Sequence, residues 1–368
     1  MNVPYLDVRA AHIELRDELQ LAYSRIMDSG RYILGEELEH FEQEWSGYCG
    51  TRHAIGVGNG LDALAIALRA NDVGPGDEVI VPAHTFIATW LAVLECGARL
   101  VAVDVDPDSM LMDPEAAAAA CTPRTAAIVP VHLYGHPVDP APFEALGRRH
   151  GLQIIGDAAQ AHGAEIAGRP VGASSDSATF SFYPSKNLGA IGDGGALTTD
   201  DDALAIRARR LRNYGSLTKD EFAEPGINSR LDPLQAAFLR AKLRVLPDWN
   251  ARRAHIAARY LRELSELPNL VLPAHGRPGV VHAWHTFCVR HPLRDDLRAH
   301  LATRGVETQL HYAVPPHRTA AFAYLDMRPG SFPVAEAAAR TVLSLPIGPQ
   351  LDDDSVTFVI DSVRAFTR

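Results

Sequence analysis

Apolar residues fall in short, nearly continuous runs through the first two thirds of the chain, and between these runs they recur at helical spacing. His53 to Val57, Glu78 to Val81, Arg99 to Val103, Ala126 to Val131 and Gln153 to Ile155 read as strands. Amphipathic or alanine-rich segments separate them, beginning with a helix from about Gly60 to Asn71. Strands spaced in this way need crossover helices, which predicts an α/β fold with a mainly parallel central sheet. Ala116 to Ala120 belongs to a helix rather than a disordered tract, because alanine has the highest helix propensity.

From Ser177 to Thr199 the pattern changes to two closely spaced strands, Ser177 to Tyr183 and Ala196 to Thr199, around a glycine-rich turn. There the sheet is expected to turn antiparallel at an edge. A long helical stretch from near Leu231 is interrupted by Pro247, and Arg252 to Leu267 continues it as a charged helix. This divides the chain into a large domain, 1–246, and a smaller α+β domain, 247–368. The smaller part reads as a strand (Thr286 to Arg290), helices over Leu293 to Thr303 and Val334 to Leu343, and a last helix from Asp353.

The 368 residues, 47% of them hydrophobic, are enough to bury a large core. Pro82, His84 and Glu95 break up the most apolar region, so nothing approaches the roughly 20 residues of a membrane span. Asp7, Arg9 and Glu14 stand where a secretory signal needs an apolar core, which predicts a cytoplasmic protein. Cys49, Cys96, Cys121 and Cys288 are scattered without a C-x-x-C pair, against both a disulfide framework and a zinc site. A formal charge of -10 excludes any general attraction for nucleic acid or anionic membrane, so an anionic ligand must be held by local donors. Among 35 basic residues only Lys186, Lys219 and Lys242 are lysine. Guanidinium cannot replace a primary amine that must react with an aldehyde, which makes each of the three worth questioning.

Lys186 lies in Ser181-Phe182-Tyr183-Pro184-Ser185-Lys186-Asn187-Leu188-Gly189, followed by Gly192-Asp193-Gly194-Gly195. Proline limits the freedom of this turn, and the glycines allow close approach by a ligand. Asp157 ends an apolar strand ahead of Ala158-Ala159-Gln160-Ala161-His162-Gly163, at the sheet edge where open α/β sheets bind ligands. An aspartate there is either a helix cap or the partner of a cationic ring nitrogen. Gly58-Asn59-Gly60-Leu61 leads from strand to helix, and its amides and helix dipole suit a phosphate. It is neither a P-loop nor a dinucleotide fingerprint. Phe86, within Pro82-Ala83-His84-Thr85-Phe86-Ile87-Ala88-Thr89, is either a core residue or a stacking surface for a flat ring.

In order and spacing these segments resemble the nucleotide-sugar aminotransferases of the DegT/DnrJ/StrS family, which are fold-type I pyridoxal-phosphate enzymes. Gly226-Ile227-Asn228-Ser229-Arg230-Leu231-Asp232, His311-Tyr312 with Pro315-Pro316-His317, and Leu345-Pro346-Ile347-Gly348-Pro349 extend the resemblance over nearly the whole chain. It implies pyridoxal 5'-phosphate as cofactor, with pyridoxamine phosphate between half-reactions, Lys186 as the Schiff-base residue and Asp157 on the pyridine nitrogen. Gln160 would sit by the ring hydroxyl and Phe86 on the ring. The phosphate would be held by the amides of Gly60 and Leu61, by Ser181, and by Asn228 from a second subunit. The family is therefore expected here as a homodimer with shared active sites. Tyr183, Lys219, Arg230, His311, Tyr312 and His317 become candidates for substrate contact. Asp220 and Glu221 oppose the attraction of Lys219 for a diphosphate.

The resemblance further implies amino transfer from L-glutamate to a nucleotide-linked keto-sugar. Asp193 in Gly192-Asp193-Gly194-Gly195 and the run Val131-His132-Leu133-Tyr134-Gly135 look like members acting on 3-keto sugars, which favours a dTDP-3-keto-6-deoxyhexose over a 4-keto or UDP-linked acceptor. A dehydratase of this fold would usually carry histidine in place of Lys186. A non-catalytic regulatory protein would be free to lose Lys186 or Asp157.

Overall fold

The computed structural model describes residues 1–366 apart from Lys219 and Gly276. A seven-stranded sheet forms its centre: β1 (His53–Val57), β2 (Glu78–Pro82), β3 (Arg99–Val103), β4 (Thr125–Ile128), β5 (Gln153–Asp157), β6 (Ser177–Ser181) and β7 (Gly195–Thr199), in the order β1-β7-β6-β5-β4-β2-β3. Neighbours run parallel except β7, which runs against both β1 and β6. All the other strands therefore point the same way, with their carboxyl ends along one edge of the sheet. Successive residues face opposite sides, as the two-residue period of a strand requires. Val79, Val81 and Ile155 pack with Leu64, Leu68 and Trp90 of helices Gly60–Ala70 and Ile87–Glu95. Ile80 and Ile154 pack with Phe143 and Leu146 of helix Pro140–His150 on the other face.

The antiparallel strand lies one position in from the edge rather than at it. The edge strand is β1, and buried side chains satisfy its outward backbone groups. Glu42 accepts the Gly56 N–H at 2.8 Å, Arg212 donates to the Gly56 carbonyl at 2.7 Å, and these two side chains pair with each other. The edge is thus closed to further pairing. Glu42 belongs to helix Glu36–Cys49, which follows helices Val8–Glu14 and Arg16–Ser29. None of the three stands out in the strand-and-helix alternation from which the fold was read.

Pro247 does not interrupt a helix. One helix ends at Leu243 and the next, Leu246–Glu263, carries Pro247 in its first turn, where no N–H is needed. The helix expected over Val334 to Leu343 stops at Thr341, and Val342–Leu345 is a strand running antiparallel to Phe287–Arg290. Ile256, Tyr260, Phe287, Leu301, Val356 and Ile360 form a separate core around this pair, which Val3 joins from the chain start. Among the described residues no helix is long and apolar enough to cross a membrane. The four cysteines are free, and all but Cys121 are buried.

Candidate active site

The carboxyl edge of the sheet gathers five turns into one site, those after β1, β2, β4, β5 and β6. After β1, Asn59 caps helix Gly60–Ala70, its Oδ1 taking the Asp62 N–H at 2.8 Å and its carbonyl the Ala63 N–H at 3.1 Å. A helix opens with four N–H groups lacking partners inside it. Those of Gly60 and Leu61 are left with no acceptor among the described residues and point, with the positive end of the helix dipole, away from the helix. Gly60 must be glycine, since a Cβ there would lie 2.7 Å from the Cβ of Ser181. Ser181 closes β6 against this cradle. Its Oγ accepts the Tyr183 N–H at 3.3 Å, which leaves the hydroxyl proton available for an anion. Ser229 Oγ accepts the Gly58 N–H at 2.9 Å, while the adjacent Asn228 is exposed.

Lys186 sits in a loop that β6 and β7 close at its base. Phe182 N–H donates to Gly194 O, Ala190 N–H to Phe182 O, and Lys186 N–H to Tyr183 O at 2.8 Å. Gly189 passes so close to Pro184 that a Cβ would meet its carbonyl oxygen at 2.4 Å. Asn187 fastens the far side, donating to Asn250 Oδ1 and to Ala283 O at 2.7 Å. Lys242, a second of the three lysines, is a brace: buried, it donates to Gly189 O and meets His12 Nε2 at 2.9 Å. Burial pushes the Lys186 amine down to about 8, and the nearby Asp157 carboxylate opposes the shift.

Asp157, at the end of β5, is followed by turns rather than a helix, so it is not the helix cap that the sequence also allowed. One oxygen accepts the Ala159 N–H at 3.1 Å and the other accepts from Thr89 Oγ1 at 2.8 Å. Burial raises its pKa, while Thr89, Ala159 and the Lys186 charge oppose the rise. A buried carboxylate with spare lone pairs fits a cation brought in by a ligand.

Gln160 is fixed by a proton inventory. A backbone N–H can only donate, so Tyr134 N–H, 2.6 Å away, settles which atom is Oε1. The Nε2 then donates to Tyr312 Oη at 2.9 Å, and Tyr312 keeps its own proton for another acceptor. The Tyr312 ring lies 5.6 Å from that of Phe86, which is exposed. Phe86 is thus a surface residue of the site rather than core. His311 Nδ1 meets Ser344 Oγ at 2.8 Å, and burial holds its imidazole down at about 4.

The remaining candidates scatter. Tyr183 is exposed beside the Lys186 loop. Arg230 bonds Asn213 Oδ1 at 2.8 Å and lies over the Tyr214 ring. His317 is buried in a separate network with Glu336 at 3.1 Å and the edge of Phe332. Lys219 lies outside the described residues. Four participants had no role assigned from sequence: Thr89, Asn187, Tyr134 and Asn250. Thr89 lies one helical turn from Phe86, Asn187 next to Lys186 and Tyr134 within the Val131 to Gly135 run, and in each case that proximity is the local signal. Nothing local marks Asn250.

The pattern of the DegT/DnrJ/EryC1/StrS aminotransferase family matches residues 14–364. A dTDP-3-amino-3,4,6-trideoxy-alpha-D-glucose transaminase of Streptomyces venezuelae is 54% identical over 363 residues, 99% of this chain and 96% of the relative. The erythromycin biosynthesis sensory transduction protein EryC1 of Saccharopolyspora erythraea is 52% identical over 365 residues, 99% of this chain and all of the relative. The X-ray structure of S. venezuelae DesV in complex with a ketimine intermediate superposes with a TM-score of 0.97 at 53% identity, covering 99% of this chain and 98% of that one. So extensive a match leaves little of the sequence outside it, and the chain belongs to the DegT/DnrJ/EryC1/StrS aminotransferase family.

Proposed function

We propose that the protein transfers the amino group of L-glutamate to a dTDP-linked 3-keto-6-deoxyhexose, with pyridoxal phosphate as cofactor. The observation that carries this reading is an amine, Lys186, lowered to about 8 beside a buried carboxylate, at the same sheet edge as two unpartnered helix amides. These groups match an aldehyde, a ring cation and a phosphate in turn. When bound, the cofactor supplies the aldehyde for amine exchange and a ring that withdraws electrons from the donor α-carbon. Asp157 would hold the ring nitrogen protonated, and Gly60, Leu61 and Ser181 would hold the phosphate. Once displaced by the donor, the neutral Lys186 amine would move the proton off the α-carbon. The spare donors of Gln160 and Tyr312 remain for ring or sugar oxygens.

Phe86, Tyr183, Ile191, Tyr214, Leu217 and Phe222 are all exposed around these turns. Apolar groups so concentrated support a covering subunit, and we take it to be a second copy contributing Asn228. The same reading assigns 1–246 to cofactor binding and 247–368 to a smaller domain. The 3-keto preference is supported by Asp193 and the Val131–Gly135 run, and by the named activity of the Streptomyces relative. The name of the EryC1 relative suggests a regulatory role; retention of Lys186, Asp157 and an intact amide cradle favours catalysis.

The test is glutamate-dependent release of 2-oxoglutarate with a panel of dTDP- and UDP-linked 3-keto and 4-keto sugars. A dTDP-3-keto-6-deoxyhexose should give the highest kcat/KM. A higher value for a UDP-linked or 4-keto sugar would refute the acceptor assignment, and no turnover with any sugar would refute the activity.

A further inference from the structure

Tyr134 reaches both sides of the site. Its N–H fixes Gln160 Oε1, and its hydroxyl donates to the carbonyl of His311. A carbonyl cannot donate, so the only hydroxyl proton is spent there. His84 Nε2, 2.8 Å from the same oxygen, must then carry a hydrogen and donate it. His84 is therefore the neutral Nε2–H tautomer, which agrees with burial holding it down at about 4. Tyr134 adopts φ 62°, a left-handed conformation that costs a residue other than glycine or asparagine about 1 kcal/mol. Such a backbone persists where its surroundings over-determine it, and here the two hydroxyl contacts, the N–H to Gln160 and the carbonyl, which accepts the His285 N–H at 3.0 Å, do so together.

We propose that Tyr134, with its hydroxyl oriented by His84, is the positioning residue that sets the His311–Tyr312 segment for the sugar half-reaction; this rests on the sugar-aminotransferase reading above. Tyr134 follows β4 and His84 follows β2, both on the main sheet, whereas His311 is tied through Ser344 to the two-stranded C-terminal sheet. The Tyr134 hydroxyl thus ties a turn of the main sheet to the His311–Tyr312 segment, beside a core that Tyr134 shares with Cys288 and Val342 of the C-terminal sheet. A neutral imidazole and a phenol proton suit sugar hydroxyls better than the carboxylates of glutamate, so loss of this joint should fall mainly on the sugar.

Tyr134→Phe separates the two contacts, because it removes the hydroxyl and keeps the backbone N–H that holds Gln160. With the 3-keto sugar, kcat/KM should fall by about a hundredfold, as a displacement near 1 Å can produce. The glutamate half-reaction should fall far less. His84→Leu should reproduce the split more weakly, and His84→Gln, which keeps a donor near the Nε2 position, should restore it. An equal fall in both half-reactions, or no difference between His84→Leu and His84→Gln, would overturn the assignment.

Hydrogen–deuterium exchange of the unliganded protein gives a readout independent of any substrate. Amides in 309–314 should exchange about fivefold faster in Tyr134→Phe and His84→Leu, the size of one hydrogen bond's net contribution, with 184–189 unchanged. Unaltered exchange in 309–314 refutes the joint even if the acceptor has been misidentified. If wild type turns over no keto-sugar while exchange responds as expected, the function fails and the joint stands. Should Tyr134→Phe not fold, the two His84 variants carry the same comparison.

Discussion

Asp157→Asn should make Lys186 capture the cofactor faster at neutral pH and yet make the enzyme slower. At a pKa of about 8, against the 10.5 of an ordinary lysine, Lys186 is reactive at pH 7 to an unusual degree. About a tenth of it is unprotonated there, compared with about one part in three thousand for an unshifted lysine. The difference, about 300-fold in reactive amine, corresponds to about 3 kcal/mol. Burial produces the shift and the Asp157 carboxylate opposes it, so removing that charge must move the titration further down. On the proposed assignment the same substitution would leave the ring nitrogen without an anionic partner, and transamination should slow by orders of magnitude.

The assay is stopped-flow growth of the visible absorption band when cofactor-stripped protein meets pyridoxal phosphate, repeated from pH 6 to pH 11. Wild type should show a midpoint near 8, and Asp157→Asn a lower one. A wild-type midpoint at the ordinary lysine value, or an upward shift in the variant, would refute the electrostatic account. Stability gives an independent check. Between about pH 8 and 10.5 the unfolded chain binds the lysine proton and the folded chain has released it, so folding stability must rise with pH through that window. Below it both states are protonated and the cost of burying the charge is fully present. Lys242 is shifted in the same direction, so the relevant quantity is the difference between wild type and Lys186→Met.

Three further outcomes test the site. Gly60→Ala places a Cβ 2.7 Å from that of Ser181, and should cost about 1 to 3 kcal/mol in thermal unfolding while weakening cofactor binding by equilibrium dialysis. Thr89→Val removes a donor to a buried carboxylate, and should lower stability by about 1.5 to 3 kcal/mol, an effect absent when Asp157 is already asparagine. Lys186→Ala and Asn228→Asp should each abolish turnover; mixed and refolded together they should recover about a quarter of wild-type activity, because half the dimers are hybrids with one complete site. No recovery would mean that each chain supplies its own Asn228.

The parts of the fold legible in the sequence were those where one local force decides. β2 and β5 are apolar on both faces because helices cover both sides, and they appear as continuous runs ending at Pro82 and Asp157. The cradle is legible because Gly58, Asn59 and Gly60 each meet a local demand of the turn. What escaped depends on partners distant in sequence. That β1 rather than β7 forms the edge is decided by Glu42 and Arg212, whose side chains take the place of another strand, and neither residue carries a local sign of doing so. Val342 and Leu343 continue an alanine-rich helical pattern, yet they pair with Phe287–Arg290 because extended backbone there completes the C-terminal core.

The same distinction runs through the site. Lys186 and Asp157 could be singled out because their chemistry is unusual for their surroundings in the sequence, one of three lysines among 35 basic residues and a carboxylate closing an apolar strand. Tyr134 and His84 lie inside segments that the sequence marks, Val131 to Gly135 and Pro82 to Thr89, but carry no role of their own there, and the direction in which each hydrogen bond must donate reveals what they hold in place. Residues that react carry their chemistry with them, whereas residues that position others acquire their function from geometry. It follows that specificity should be sought in contacts such as Tyr134 to His311 and Gln160 to Tyr312, where turns of the main sheet hold a segment that is tied through Ser344 to the C-terminal sheet.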